Sequence, residues 1–327
     1  MHFVSVSGYG WTGSSAYVSV LNEFRQCGGL DKEFRLIKDP SGLIDLQNAI
    51  VNNWEVIRHD VAIRDFLWFC KILSKKSSLV SGPAYNYNSL LLTDFYKKSF
   101  DYIEKIIDLS YIGDSSVHRY RSSVKSLFLN KIKNKFGFYN NTGLMRLAKP
   151  SHDKFLDETR AYIENIFENF CVAKNIDTVI LDQAIPVTNI NNSMKLFNSI
   201  KVIVVDRDPR DIYANLIMRR KLIGYELSSE KSVNKYIKWH KLLRSTDNDI
   251  YDQKNILRVN FEDLIIDYQS TLNKINVFLG KEYIHDNEMK LFDPLKANKS
   301  IGLWKKQKDQ DSIKIIQDSF PQQCIEY

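Results

Sequence analysis

The sequence predicts an α/β protein built on a doubly wound parallel sheet that is flanked by helices. Short apolar, β-branched runs alternate with longer segments whose apolar residues recur at helical spacing. The run at residues 1–7 stops at a cluster of glycines, and the run at 202–205 is apolar throughout, as in strands buried on both faces. Ligands of such sheets bind at the carboxyl ends of the strands, so we expect the ligand-binding residues directly after each run.

The composition is that of a globular protein, and the length allows one large domain or two small ones. We predict a single domain, residues 1–327, with a helical insertion at about 43–174 on the acceptor side. The net charge of +7 favours anionic ligands but does not indicate nucleic acid. No apolar run reaches the roughly 20 residues of a membrane span, and no signal peptide is visible, which points to the cytoplasm. The four cysteines are scattered without a C-x-x-C pair, so we expect free buried thiols and no metal.

Along the chain, the pattern predicts helices at about 16–24, 43–74, 89–109 and 151–174 and another beginning near Ile212. Strands are expected at 33–37, 178–181, 202–205 and 255–259. The alternation in the second half is typical of parallel sheets with right-handed crossovers.

The first turn, Gly8–Ser15, has the spacing of a Walker loop, G-x-x-x-x-G, between a strand and a helix. Glycines allow a tight turn, and the unpaired N–H groups at the start of a helix attract anions. Ser14 stands where the Walker lysine belongs, which disfavours an ordinary ATPase. A structural turn that binds nothing is the alternative.

A basic segment without any acidic residue lies between Asp114 and Asp153. Its cations are interspersed with aromatic residues, and they are Arg119, Arg121, Lys125, Lys131, Lys133, Lys135, Arg146 and Lys149. The segment is either a solvated helix face, a cleft for an anionic acceptor, or a peripheral contact with acidic lipid head groups. RNA binding is disfavoured because no recognised module is present.

Four stretches, in order, resemble the sulfotransferases that use 3′-phosphoadenosine 5′-phosphosulfate, particularly their bacterial carbohydrate-type members. They are the first loop, the R-D-P-R-D element after the strand at 202–205, the F-E-D-L … F-L-G element at 261–280, and G-L-W-K at 302–305. The resemblance implies a P-loop-type fold and transfer of a sulfuryl group to a hydroxyl of a carbohydrate or glycolipid.

The same resemblance implies two anion sites for the nucleotide donor. The loop would hold the 5′-phosphosulfate through Gly10, Trp11, Thr12, Gly13, Ser14, Ser15 and Ala16, and Gly13 would approach it too closely for any side chain. Arg207 and Asn215 would hold the 3′-phosphate, because the guanidinium fork suits phosphate oxygens. Lys299, Ser300 and Gly302 would close over that phosphate. Pairing of Arg207 with the neighbouring aspartates is the alternative.

Trp11 departs from the family, which usually has lysine or arginine at this position to balance charge on the leaving phosphate. Either another cation supplies that charge, or the transferred group or the activity differs. The candidate cations are Lys38, Arg35, Lys299 and Lys305, with Lys38 and Lys299 first. For the base that accepts the acceptor proton, Glu33 stands in a context similar to the family glutamate, and Asp39 competes with it. A nucleotide-dependent kinase of related fold and a non-catalytic nucleotide-binding protein are the rival functions. The missing loop lysine argues against the kinase, and Trp11 argues for the binder.

Overall fold

A computed structural model describes residues 1–76, 85–114, 128, 132, 142–227, 232–246, 254–280 and 284–326. The chain divides into two compact units. The first combines Met1–Phe34 with Cys171–Tyr327, and the second is Arg35–Phe170. The predicted single domain with an insertion at 43–174 stays a prediction.

A parallel sheet forms the centre of the first unit. In sheet order its strands are β2 (Cys27–Gly29), β5 (Thr178–Asp182), β1 (His2–Gly8), β6 (Ile200–Asp206) and β7 (Ile256–Asn260). β1 pairs with β5 through Val4 and Ile180 and with β6 through Ser7 and Val204. The predicted α/β class with a parallel sheet is thereby confirmed. Because β1 and β6 are neighbours, the segments after them emerge side by side.

The helices alternate with the strands, and the sheet is flanked by helices as expected. In chain order the α-helices of the described residues are α1 (Ser14–Leu21), α2 (Leu43–Gln47), α3 (Arg58–Ser74), α4 (Tyr87–Leu90), α5 (Phe95–Ile106), α6 (His152–Lys174), α7 (Ile190–Met194), α8 (Pro209–Arg219), α9 (Val233–Leu243), α10 (Asp263–Ile266), α11 (Tyr268–Leu279), α12 (Pro294–Ala297) and α13 (Gln310–Ser319). A π-helical turn spans Asn48–Asn52, and short 3₁₀ turns span Leu222–Tyr225, Asn298–Ser300 and Leu303–Lys306.

The apolar faces of the sheet are buried under these helices. One core cluster joins β1, β6 and β7 to α1 and α11, and it includes Val6, Tyr17, Ile203 and Ile275, all essentially unexposed. A second cluster joins α8, α9 and α13. Burial of this area supplies the main favourable free energy of folding.

The predicted strand at 33–37 is wrong. These residues form turns, in which Asp39 N–H donates to the Arg35 carbonyl and Leu43 N–H to the Leu36 carbonyl. The second strand is Cys27–Gly29 instead, at the sheet edge beside β5. A Cβ on Gly29 would lie 2.9 Å from the Ile180 carbonyl oxygen, so the glycine permits this close pairing. Phe34, Leu36 and Ile37 are buried although they form no strand. The apolar pattern alone could not distinguish a buried turn from a buried strand.

The second unit is mostly helical in its described residues, as predicted, but it also contains an antiparallel pair of strands. β3 (Leu109–Asp114) pairs with β4 (Thr142–Leu147). Of the eight cations of the basic segment, only Arg146 and Lys149 lie within the described residues. Arg146 contacts Glu104 at 3.3 Å, and the Lys149 ammonium lies 4.8 Å from the Trp54 ring centroid, so both are engaged within this unit.

The four cysteines are free thiols, as expected, and Cys27, Cys70 and Cys171 are buried. Burial raises the pKa of the Cys70 thiol to about 12, which keeps it protonated and unreactive near neutral pH.

Glu23 fastens the segment after α11 to the end of α1. Its carboxylate accepts from the N–H groups of Leu291 and Phe292 at 2.7 and 2.8 Å and lies 2.7 Å from His285 Nε2. The side chain is fully buried. The same two segments are also joined by an exposed ion pair between Arg25 and Asp286.

Replacing Glu23 by alanine is expected to lower the free energy of unfolding by about 2–4 kcal/mol, because two backbone donors lose their buried acceptor. Urea denaturation measures the change. Arg25→Ala is the matched control on the same segments and should alter the midpoint little, since exposed ion pairs contribute little. Equal losses in both variants would contradict a special role for the buried carboxylate.

Candidate functional site

The loop between β1 and α1 has an unusual backbone. Gly10, Trp11 and Gly13 have φ angles of +92°, +62° and +86°. Gly13 is the N-cap of α1 and provides no side chain to cap the first turn. No side chain caps the N–H groups that open α1, and that of Ala16 donates to the Gly13 carbonyl at 3.0 Å. Loops with left-handed residues turn successive N–H groups inward as anion sites.

Two loop glycines are required by the packing of the protein itself. A Cβ on Gly8 would lie 2.2 Å from Thr12 Oγ1, and a Cβ on Gly13 would lie 2.4 Å from Phe261 Cδ2. The sequence predicted that Gly13 has no side chain because a ligand approaches it. The structure gives a different reason, because an aromatic ring from the end of β7 already occupies that side.

The loop hydroxyls have different surroundings. Thr12 is 1% exposed, and its Oγ1 atom has no hydrogen-bond partner. Ser14 Oγ accepts from Gln183 Nε2 at 2.7 Å, and Gln183 N–H in turn donates to the Val6 carbonyl. Ser14 is therefore oriented by the residue that follows β5, whereas Thr12 retains a buried hydroxyl for which a ligand could supply the partner.

Trp11 is half-buried and packs against the apolar cluster of α8, α9 and α13. It cannot supply the charge of the lysine or arginine that the sequence resemblance leads us to expect at this position. Two cations nevertheless contact the loop at Tyr9. The Arg244 guanidinium lies 4.2 Å from its ring centroid, and Arg258 Nη1 donates to its hydroxyl at 2.8 Å. Sequence reasoning missed both, because more than two hundred residues separate these partners and neither stands in a recognisable motif.

Arg207 follows β6 and is 5% exposed. Its Nη2 donates to the Ser300 carbonyl and lies 3.8 Å from Asp211, while its Nε lies 4.0 Å from Glu262 Oε1. The guanidinium stacks over the Phe261 ring at 4.8 Å. Its Nε has no hydrogen-bond partner. Phe261 therefore contacts Arg207 and also fills the space beside Gly13.

The C-terminal segment is anchored beside Arg207 through α8. Asp211 accepts from the N–H groups of Gly302 at 2.9 Å and Trp304 at 3.1 Å. Together with the Ser300 carbonyl contact, these bonds bring Ser300 and Gly302 to Arg207, as the sequence predicted for residues of one site. Lys299 is exposed, and Asn215 lies half-buried farther along α8.

The guanidinium of Arg210 is engaged by other groups of the protein. It forms a buried ion pair with Asp208 at 2.7 Å, donates to Gln317 and the Ile325 carbonyl, and stacks over Trp304 at 4.1 Å. Its role is to hold the C-terminus on α8.

Glu262 is a site residue that sequence reasoning quoted in a motif but gave no role. It is fully buried, and its Oε1 accepts from Asp208 N–H at 3.1 Å. Its Oε2 has no partner. Burial, with a smaller contribution from Asp208, raises the pKa of the carboxyl to about 7. Only a structure reveals that this carboxyl faces Arg207.

The predicted catalytic residues fall in different units. Glu33 is half-buried in the first unit, beside Phe34, whose N–H donates to the Asp182 carbonyl at the end of β5. Lys38 and Asp39 belong to the second unit, where Asp39 lies 3.4 Å from Arg35. With the predicted strand absent, none of the three stands at a strand end.

A cavity of about 720 Å³ opens in the first unit at the β2 edge of the sheet. Ser15 and Ser19 of α1 line it, as do Gly28 and Gly29 of β2. Its charged lining residues are three cations and three anions, namely Arg25, Lys32, Lys174, Asp31, Asp182 and Asp286. Ser15 therefore lies both in the loop and in the wall of a polar cavity.

Within the described ranges, no three His, Cys, Asp or Glu side chains are grouped so that they could hold a metal ion. None of the helices in that part of the chain is long and apolar enough to cross a membrane.

Replacing Gly13 by alanine is expected to lower the free energy of unfolding by about 2–4 kcal/mol, because a left-handed residue and a clash with Phe261 both contribute. Gly10→Ala is the matched control, since its Cβ would meet only Leu222 Cδ1 at 3.5 Å. That variant should lose about 1–2 kcal/mol from the left-handed backbone alone. Urea denaturation measures the free energy of unfolding of both variants. An equal loss in Gly13→Ala and Gly10→Ala would contradict a cost from the Phe261 contact.

A protein-family model described as the sulfotransferase family matches residues 111–286, just over half of the chain. The match includes Arg207 and Glu262 but neither the glycine-rich loop nor Lys299–Gly302. No curated protein matches the sequence significantly.

Solved structures of sulfotransferases also resemble the chain, at low identity. The sulfotransferase domain of the olefin synthase from Synechococcus PCC 7002 is 14% identical, with a TM-score of 0.41, covering 97% of this chain and 93% of that one. Sulfotransferase STF9 from Mycobacterium avium is 12% identical, with a TM-score of 0.38, covering 97% of this chain and 74% of that one. These structural likenesses are too distant to support conclusions about ligands. On the strength of the family match, the chain belongs to the sulfotransferase family and is an enzyme of sulfuryl transfer.

Proposed function

We propose that this sulfotransferase uses 3′-phosphoadenosine 5′-phosphosulfate as donor and a hydroxyl of a carbohydrate or glycolipid as acceptor. The observation that carries the proposal is the pairing of two candidate anion sites on neighbouring strands. The loop after β1 and Arg207 after β6 share the Phe261 ring. A nucleotide with separate 5′ and 3′ anions suits two neighbouring anion sites.

Two buried polar atoms support this fit. Thr12 Oγ1 and Arg207 Nε are each buried without a hydrogen-bond partner. An unpaired buried donor costs free energy, and phosphate or phosphosulfate oxygens would satisfy both. In this proposal residues 10–16 hold the 5′-phosphosulfate, and Arg207, Asn215, Ser300 and Gly302 hold the 3′-phosphate. Lys299, on the same segment as Ser300, is assigned to the leaving phosphate instead.

In the reaction, the acceptor oxygen attacks sulfur, and the bond from sulfur to the bridging phosphate oxygen breaks. A sulfate ester and 3′,5′-adenosine diphosphate result, and the hydroxyl proton passes to a base. Glu33 is the better supported base, because it follows the cavity-lining Lys32 within the same unit as the loop. Asp39 is engaged by Arg35 and is the alternative.

The leaving phosphate needs a cation that Trp11 cannot provide. Lys299 is the better supported source, because it belongs to the same unit as the loop. Its exposure leaves the long side chain room to fold over a bound nucleotide. Lys38, in the second unit, is the alternative.

The cavity beside Ser15 supports a neutral, hydroxyl-rich acceptor over an anionic one. Its lining combines hydroxyl and amide groups with balanced charges. Sugars are recognised by such groups through hydrogen bonds. Contact with acidic lipids, and the absence of a nucleic-acid partner, stay predictions, because six of the eight basic residues, Arg119 to Lys135, lie outside the described residues.

A non-catalytic nucleotide-binding protein is the rival that Trp11 favours, and the packing of Trp11 into an apolar cluster does leave the loop without a cation of its own. The match to the sulfotransferase family argues against this rival. A kinase has no comparable support, because Ser14 replaces the Walker lysine and bonds Gln183.

Affinity for 3′,5′-adenosine diphosphate is expected to exceed that for 5′-AMP. Arg207→Lys should reduce the difference by about 10- to 100-fold, the 1.5–3 kcal/mol of a charged hydrogen bond, while keeping the buried positive charge. Isothermal titration calorimetry measures both ligands, and Arg219→Lys, an exposed arginine at the end of α8, is the control. Equal affinities of the unaltered protein for both nucleotides would overturn the donor assignment.

Lys299→Ala is expected to lower turnover about 100-fold or more while changing nucleotide affinity far less, because its charge is needed mainly in the transition state. Transfer from a sulfur-labelled donor to a panel of sugars provides the rate, and Lys306→Ala on the same segment is the control. An unchanged rate would exclude Lys299, and no turnover by the unaltered protein on any acceptor would favour the non-catalytic binder.

A further inference from the structure

Arg207 has more negative charge around it than it can balance. Asp211 and Glu262, both fully buried, lie 3.8 and 4.0 Å from its guanidinium. The nearby Asp208 and Asp206 are paired with other arginines, Arg210 and Arg244. The group formed by Arg207, Asp211 and Glu262 therefore carries an excess negative charge when both carboxyls are ionised.

This excess opposes the binding of a phosphate dianion to Arg207. Like charges a few ångströms apart in a buried site repel strongly, because little water screens them. A phosphate could approach the guanidinium only if the protein relieved part of that repulsion. Protonation of one of the two carboxylates would do so.

The hydrogen bonds distinguish the two carboxylates. Both oxygens of Asp211 accept backbone N–H groups, Oδ2 from Gly302 and Oδ1 from Trp304. Glu262 accepts from Asp208 N–H and from its own N–H, but its buried Oε2 accepts no hydrogen bond. N–H donors stabilise an ionised carboxylate, so Glu262 is the group that can accept a proton at lower cost.

We propose that Glu262 takes up a proton when a phosphate group binds Arg207, which makes it a positioning residue acting through that arginine. The inference rests on the proposed function, in which this phosphate is the 3′-phosphate of the nucleotide. Without ligand, ionised Glu262 helps to balance the buried guanidinium. In the complex the phosphate takes over that role.

The other charged and titratable groups around Glu262 are consistent with this assignment. Tyr17 of α1 faces it, but burial raises the pKa of that phenol well above its usual value, so it stays neutral. Asp208 raises the pKa of the Glu262 carboxyl, and Arg207 lowers it. The neighbouring Asp263 accepts from Asn260 N–H at 3.0 Å.

The affinity for the nucleotide is expected to depend on pH. In the protein without ligand the pKa of the Glu262 carboxyl is about 7. A bound phosphate raises this pKa further, because it adds negative charge and engages Arg207. Affinity should therefore be highest between about pH 6, above which the phosphate is a dianion, and about pH 7. It should fall as pH rises above 7, by at most tenfold per unit, until the pKa of the complex is reached.

The test is a calorimetric titration of the whole chain with 3′,5′-adenosine diphosphate at pH 8. Comparing two buffers of different ionisation enthalpy gives the number of protons taken up per nucleotide bound. A phosphate group has its second pKa near 6, so both phosphate groups of the nucleotide are already dianions at that pH. Since a group with a pKa of about 7 is about 90% ionised at pH 8, uptake of up to about 0.9 proton is expected. 5′-AMP, which lacks the 3′-phosphate, should give no uptake.

Glu262→Gln should bind the nucleotide without proton uptake, and Asp263→Asn should behave like the unaltered protein. If the unaltered protein prefers 3′,5′-adenosine diphosphate to 5′-AMP but takes up no proton, the role of Glu262 is refuted and the proposed function stands. Proton uptake that persists in Glu262→Gln has the same consequence. No binding of 3′,5′-adenosine diphosphate overturns the proposed function as well. Should Glu262→Gln fail to fold, the affinity of the unaltered protein between pH 7 and 9 decides, and a constant affinity refutes the proposal.

Discussion

Arg207 carries its positive charge inside the protein, and its surroundings organise the site. A buried guanidinium requires partners, and this one has the Ser300 carbonyl, two carboxylates and the Phe261 ring. These groups come from α8, the end of β7 and the C-terminal segment, so the charge joins parts of the chain that are distant in sequence. Removing it would leave two buried carboxylates uncompensated, which is more costly than losing an exposed ion pair.

The loop depends on the same arrangement through Phe261. The ring stacks on Arg207 and leaves no space for a side chain at Gly13. The conformation of the loop and the position of the guanidinium are therefore connected by one aromatic residue. A ligand that moves either element has to be accommodated by the ring as well.

Much of the fold could be predicted from the sequence, because β1, β5, β6 and β7 are apolar runs of a length typical of buried strands. The predicted strand at 33–37 failed because Phe34, Leu36 and Ile37 are buried within turns, and apolar character alone does not specify backbone conformation. β2 was missed because two glycines carry no strand signal, although they are what permits its close pairing with β5. The site was predicted in part. Motif resemblance led to Arg207, Ser300 and Gly302, but the cations at Tyr9 and the carboxyl of Glu262 become neighbours only through folding.

The central claim is that Arg207 and the glycine-rich loop bind the two ends of one nucleotide. A crystal structure with 3′,5′-adenosine diphosphate tests it most directly. The account predicts that the 3′-phosphate accepts hydrogen bonds from Arg207, including its Nε, and that the 5′-phosphate accepts from the loop N–H groups and Thr12 Oγ1. A nucleotide bound elsewhere, with Arg207 contacting only Ser300, Asp211 and Glu262, would contradict it.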